Sequence, residues 1–275
     1  MNLYLAESGA VWSAYFKERK KEGREPTLKS IVPENFHTEK SGIDSGLFVG
    51  TNILQSFYYC DNFTVSTILP QCKNFMLDSG AYTFINSSKT KGLDINEYVE
   101  RYIDFVNQND IALFFELDID SIIGLQEVEK IRKKLENRTG KQPIPVFHRE
   151  RGKQYFVDMC KEYPYVAIGG MTTGAVRNQY NKVLPWFIET AHEYGAKIHG
   201  LGYTALKELP RMKFDSVDST AWVTGNRFGS IYIFNGQTMI KHDKKQGQRL
   251  ANPQAVAIHN FKEWVKFQKY AEKYL

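Results

Sequence analysis

At 275 residues, 42% of them hydrophobic, the chain has the length of one (β/α)8 barrel and enough apolar content for a sizeable core. Lysine and arginine total 36 against 31 aspartate and glutamate, a net charge of +5 that permits a nucleic-acid partner without demanding one. Three cysteines, Cys60, Cys72 and Cys160, with no CxxC pair exclude a disulfide framework and a cysteine zinc site, and the lack of a long apolar run predicts a cytoplasmic protein.

In chain order, Asn2–Ala6 reads as an opening strand, Val11–Lys21 as its helix and Leu47–Thr51 as a weaker strand. Asn74–Gly80 is a strand followed by the amphipathic helix Ile95–Gln108. Ala112–Asp118 is a strand followed by Leu125–Asn137, a helix that stops before Gly140. The alternation continues through Ile144–His148 and Lys153–Tyr163, Tyr165–Gly170 and Lys182–Tyr194, and Lys197–Gly202 and Ala205–Met212, to the strand Lys213–Asp218. Strands separated by helices pair in parallel through right-handed crossovers, and apolar runs such as Ala112–Phe115 are buried on both faces. The pattern predicts one α/β domain over residues 1–275, a TIM-type barrel, with an open doubly wound sheet as the alternative. Ser230–Phe234 and Thr238–Asp243 flank Asn235-Gly236 as a β-hairpin, and Pro253–Leu275 is a long final helix with Val256, Phe261, Trp264, Val265 and Tyr270 on its packing stripe.

Reactive groups of such barrels stand at the carboxyl ends of the strands. The runs here close on Asp78 and Ser79, Glu116 and Asp118, His148, Gly169 and Gly170, His199 to Gly202, and Asp215 with Asp218. One aspartate at a strand end is most often a cap or loop acceptor. Several converging on one mouth repel each other, which points to a substrate, metal or proton that uses them. Asp78, Asp118, His148, His199 and Asp215 are therefore expected to line the active face. The glycine pairs admit either close approach of a flat ligand or tight turns. Tyr82, four residues beyond Asp78, is either a stacking platform or an ordinary loop aromatic.

These motifs, in this order from about Phe75 to Gly229, resemble the tRNA-guanine transglycosylase superfamily, above all its short zinc-lacking phage and bacterial members that insert 7-deazaguanines into DNA. Asp78-Ser79-Gly80-Ala81-Tyr82 is similar to the family's DSGGF/Y segment, and Phe115-Glu116-Leu117-Asp118 to its base-recognising acidic strand. Ala167-Ile168-Gly169-Gly170 is similar to its LGG turn, His199-Gly200-Leu201-Gly202 to its MGVG segment, and Phe214 through Thr220 to its FDCVxPT or FDSAS segment. The resemblance implies exchange of guanine in nucleic acid for a 7-deazaguanine base, without a cofactor or metal, with DNA favoured over tRNA as acceptor and a homodimer left open. By position it makes Asp215 the nucleophile, with Asp218 as the rival three residues on, and Asp78 the general acid and base. Glu116, Asp118 and His148 would read the base edge, Gly169 and Gly170 the opposite edge, and Tyr82, His199, Gly200 and Gly202 would frame its faces. The zinc motif and the RNA-binding extension of the larger tRNA enzymes are missing.

Arg227, Lys241, Lys244, Lys245 and Arg249 either neutralise phosphates or form a solvated basic loop. Two other readings stay open: a metal-dependent barrel hydrolase using His148, His199 and Asp118 or Asp215, and a catalytically silent nucleic-acid-binding barrel.

Overall fold

A computed structural model describes residues 1–6, 46–60, 64–86, 94–170, 181–223, 228–245, 247 and 253–275. The helix expected over Val11–Lys21, together with Arg227 and Arg249, lies outside the described residues. Eight parallel strands form one sheet: β1 (Asn2–Ala6), β2 (Asn52–Ser56), β3 (Asn74–Asp78), β4 (Leu113–Phe114), β5 (Val146–Phe147), β6 (Tyr165–Ile168), β7 (Lys197–Gly200) and β8 (Ser216–Ser219). Their order is β4-β3-β2-β1-β8-β7-β6-β5. The two ends of that order meet through a parallel bridge, Phe115 to Ile144. There the Ile144 N–H donates to the Phe114 carbonyl at 2.7 Å and the Glu116 N–H to the Ile144 carbonyl at 3.0 Å. The fold is thus α/β and of TIM-barrel type.

Two expected elements are corrected. Leu47–Thr51 is a turn, with the Val49 N–H on the Gly46 carbonyl and Gly50 at φ 70°, and the strand starts only after this left-handed residue. Ala205–Met212 forms successive turns in place of a helix. Pro210 has no N–H to give the ladder, so the bonds from Leu209 to Ala205 and from Met212 to Glu208 are not joined into one run.

The chain divides into two compact units. The larger, residues 54–60 and 75–218, holds β3 to β7 and helices α1 (Ala81–Asn86), α2 (Ile95–Gln108), α3 (Asp120–Ile123), α4 (Leu125–Thr139), α5 (Lys153–Glu162) and α6 (Leu184–Glu193). Helix α2 is capped by Asp94, whose side chain accepts from the Asn96 N–H at 2.9 Å. It buries Tyr98, Val99, Tyr102, Ile103 and Val106 at helical spacing.

The other unit, residues 1–53, 61–74 and 219–275, contains the hairpin β9 (Ser230–Phe234) and β10 (Met239–Asp243) and helix α7 (Pro253–Tyr274). Phe261 and Trp264 of the expected stripe are fully buried, joined by Phe267 and Ala271. Polar groups of the same helix satisfy backbone that a sheet edge would leave open. Asn260 accepts from the Tyr232 N–H and Glu263 from the Phe234 N–H, both at 2.8 Å. No helix among the described residues is long and apolar enough to cross a membrane.

Candidate active site

Side chains alternate along a strand, so residues three apart point to opposite faces. This decides between Asp215 and Asp218. His199 on β7 places its ring 5.4 Å from that of Phe115, beyond β4. These strands are not neighbours in the sheet, so the contact crosses the barrel interior. Asp218 is buried on that same side, accepting from His199 Nε2 at 3.2 Å and from the Gly202 N–H at 2.6 Å. Asp215, by contrast, precedes β8 and faces outward. Its carboxylate accepts from the Ile198 N–H at 2.8 Å and lies 3.0 Å from His192 Nε2 on helix α6. The expectation that Asp215 lines the active face is therefore corrected: it stands at the amino end of its strand on the helix side, and Asp218 occupies the carboxyl end.

Asp78 closes β3, and its carboxylate accepts from the Gly80 N–H at 3.0 Å. Burial pushes this carboxyl up to about 6 from its ordinary 3.8; the Gly80 bond opposes that, and the charges of Asp118 and Asp218 add to it. The charges of two carboxylates from other strand ends thus reach Asp78. Gly80 is required here, at φ 65°, because a Cβ would fall 2.9 Å from the Tyr58 backbone nitrogen. An acid whose folded pKa is raised binds its proton more readily in the native than in the unfolded chain, so stability falls as pH rises from about 4 to about 6. Against Asp78→Asn, the wild type is expected to lose on the order of 3 kcal/mol across that window. Denaturant titrations at stepped pH measure it, and a difference that stays flat refutes the assignment.

Asp118 and His148, following β4 and β5, form a pair with Oδ1 and Nε2 2.5 Å apart. Burial alone would lower the imidazole pKa, but the Asp118 bond and charge outweigh it and the net shift is upward. Gly169 makes room for this ring: a Cβ there would lie 2.9 Å from His148 Cε1 and 2.9 Å from Val146 Cγ1. Gly169→Ala is expected to cost about 1–3 kcal/mol by overpacking and to turn His148 away from Asp118. Chemical denaturation and the loss of the upward shift of His148 in an NMR titration are the checks. Gly170, at φ 78°, is exposed and ends the strand.

Glu116, expected to read a base edge, does not share the side of Phe115 that faces His199. It is fully buried on the helix side, accepting from the Val146 N–H at 2.8 Å, Arg151 Nη1 at 3.3 Å and Arg132 Nη1 at 3.1 Å. Those contacts occupy the side chain as a structural ion-pair centre, a role set by its alternation with the inward Phe115. Arg151 also donates through Nε to Asp120 at 2.8 Å. Sequence reading passed over Asp120, Arg132 and Arg151; the arginines in Arg149-Glu150-Arg151, immediately after His148, were the available signal. Asp118, Asp120 and His148 bring one ligand atom each within 4.8 Å of one another and could hold a metal ion. Such an ion would have to displace His148 from Asp118 while standing beside the guanidinium of Arg151.

His199 and Gly202, expected to frame the faces of a base, both donate to Asp218, Gly202 through its N–H. Gly200 is packed against Phe214 and Tyr203, where a Cβ would come within 3.1 Å of each, so its place is a packing requirement. Tyr82 is 64% exposed on helix α1. Lys241 pairs with Asp243 at 2.9 Å, and the Lys244 side chain lies over Gly229. Lys245 follows the hairpin in the same unit.

An α/β barrel with interacting carboxylates at its strand ends is the class that these features define. No protein-family model and no curated protein matches the chain. Among solved structures it is similar to the carboxyl transferase domain of Rhizobium etli pyruvate carboxylase, solved with 3-hydroxypyruvate, at 13% identity and a TM-score of 0.44. That match covers 98% of this chain and 48% of the other, so the chain spans about half the length of that structure.

Proposed function

We propose that the chain is a base-exchange glycosyltransferase that replaces guanine in nucleic acid, DNA being the favoured acceptor, with a 7-deazaguanine. The observation that carries the reading is the convergence of Asp78, closing β3 with its carboxyl pushed up to about 6 by burial, and an oriented carboxylate, Asp218, in β8. The resemblance of the strand-end motifs to transglycosylases supplies the reaction. An Asp218 oxygen attacks C1′ of the nucleotide as the bond from C1′ to the base nitrogen breaks, and the departing base takes that electron pair and a proton from Asp78. A nitrogen of the incoming base then bonds to C1′ as the ester C1′–O bond breaks, which returns that electron pair to the Asp218 carboxylate and the base's proton to Asp78.

Asp118, held by His148, accepts from the amino edge of the base, because a carboxylate matches paired N–H donors. Tyr82 supplies an exposed ring to the target nucleotide, which in a duplex has to be flipped out. Lys241, Lys244, Lys245, Arg227 and Arg249 are assigned to phosphates, Lys241 after release from its ion pair with Asp243.

The test is incubation of the protein with DNA or tRNA and labelled guanine or 7-deazaguanine precursors. Incorporation into one acceptor, together with a protein–nucleic acid adduct that maps to Asp218, supports the reading; no incorporation into either refutes it. A metal-dependent hydrolase is the second reading, favoured by the Asp118, Asp120 and His148 grouping. Stoichiometric metal in protein purified without chelator, lost in His148→Ala, would select it.

A further inference from the structure

We propose that His199 is a positioning residue, held as its Nε2–H tautomer by a directional hydrogen-bond chain from Tyr165 through Ser216, which fixes the Asp218 carboxylate for attack. The catalytic part rests on the reading of Asp218 given above; the chain itself stands on geometry. Three adjacent strands supply it. Tyr165 of β6 places its hydroxyl 2.5 Å from Ser216 Oγ of β8, and Ser216 Oγ is 2.5 Å from His199 Nδ1 of β7. His199 Nε2 then meets Asp218 Oδ1 at 3.2 Å. Ser216 and Asp218 are two apart on one strand and so share the inward face. His199 and Ser216 are fully buried.

Counting protons gives the direction. A carboxylate has none to donate, so the hydrogen between His199 and Asp218 belongs to Nε2. A neutral imidazole then presents a lone pair at Nδ1, which the Ser216 hydroxyl fills by donating. The Ser216 oxygen in turn accepts from Tyr165. Burial holds the Tyr165 phenol up to about 12, with the Ser216 bond opposing and the charge of Asp215 adding, so the phenol keeps its hydrogen. The opposite direction requires either a protonated Asp218 or an imidazolium enclosed against Phe115, away from water. A histidine set this way holds one oxygen of Asp218 from the side while the Gly202 N–H holds it from the loop. The carboxylate plane is fixed before substrate arrives, which is where orientation contributes to rate.

Selective 15N labelling of histidine tests the chain without any assay of activity. At neutral pH, His199 is expected to show a protonated Nε2 and an unprotonated Nδ1, and Ser216→Ala, which removes the hydroxyl donor, is expected to move the Nδ1 resonance while Asp218 keeps the hydrogen on Nε2. A wild-type His199 protonated at Nδ1, or at both nitrogens, overturns the proposal. The positioning role is read from a pair of variants. His199→Gln keeps a donor for Asp218 and an acceptor for Ser216 and is expected to retain kcat within about tenfold; His199→Leu is expected to lose about 100-fold in kcat with KM unchanged. A glutamine variant as impaired as the leucine one overturns it. If wild-type protein exchanges no base at all, the reading of Asp218 fails while the tautomer measurement still decides the chain.

Discussion

Asp218→Asn is expected to lose at least about 10⁴-fold in base exchange and to form no covalent adduct, the scale seen when an attacking residue is removed. Asp215→Asn is expected to stay within about tenfold of wild type. The asparagine at 218 still accepts from the Gly202 N–H and still fills the same volume, so the fold is preserved while the nucleophilic oxygen pair is gone. At 215 the asparagine oxygen can still accept the Ile198 N–H, and its site opposite His192 lies on the helix side of the sheet. Steady-state rates and mass spectrometry of the trapped adduct decide the pair. Loss of activity in the Asp215 variant alone would place the chemistry on the wrong face of β8 and remove the site described above.

The pair also marks how far the sequence could be read. Within Phe214–Thr220, Asp-Ser occurs twice, at 215–216 and at 218–219, so motif matching alone allows two registers. The ungapped one selected Asp215. Only the strand position resolves this, because a shift of three residues reverses the facing of every side chain. Strand–helix alternation was legible because it rests on local apolar periodicity, and it placed Asp78, Asp118, His148 and His199 at strand ends. The helix expected over Ala205–Met212 failed on Pro210, a local signal outweighed by apolar spacing. Glu116 was misread for a different reason. Its acidic neighbours made a base-reading strand plausible, whereas its partners Arg132 and Arg151 come from later segments and pattern reading does not pair them.

Glu116→Ala is expected to destabilise the protein by about 3–5 kcal/mol, the range for removing one partner of a buried ion pair. The cost comes from what remains. Arg132 and Arg151 have side chains only 6% and 2% exposed, and Arg132 Nε and Arg151 Nη2 already lack a hydrogen-bond partner. Neither guanidinium can shed its charge, so without Glu116 both stay buried with less compensation. Burial lifts the Glu116 pKa even though Arg132 and Arg151 pull it down, so desolvation outweighs the attraction. A network of that kind is costly to break yet adds little stability over an apolar replacement. Glu116→Leu combined with Arg132→Met and Arg151→Leu is therefore expected to recover most of the loss seen in Glu116→Ala. Equilibrium denaturation of the single and triple variants measures both. A single-variant cost below about 1 kcal/mol would mean that water reaches the guanidiniums. If stability returns in the triple variant while the upward pKa shift of His148 disappears, the network serves to hold Asp120 and, through it, the Asp118–His148 pair in place.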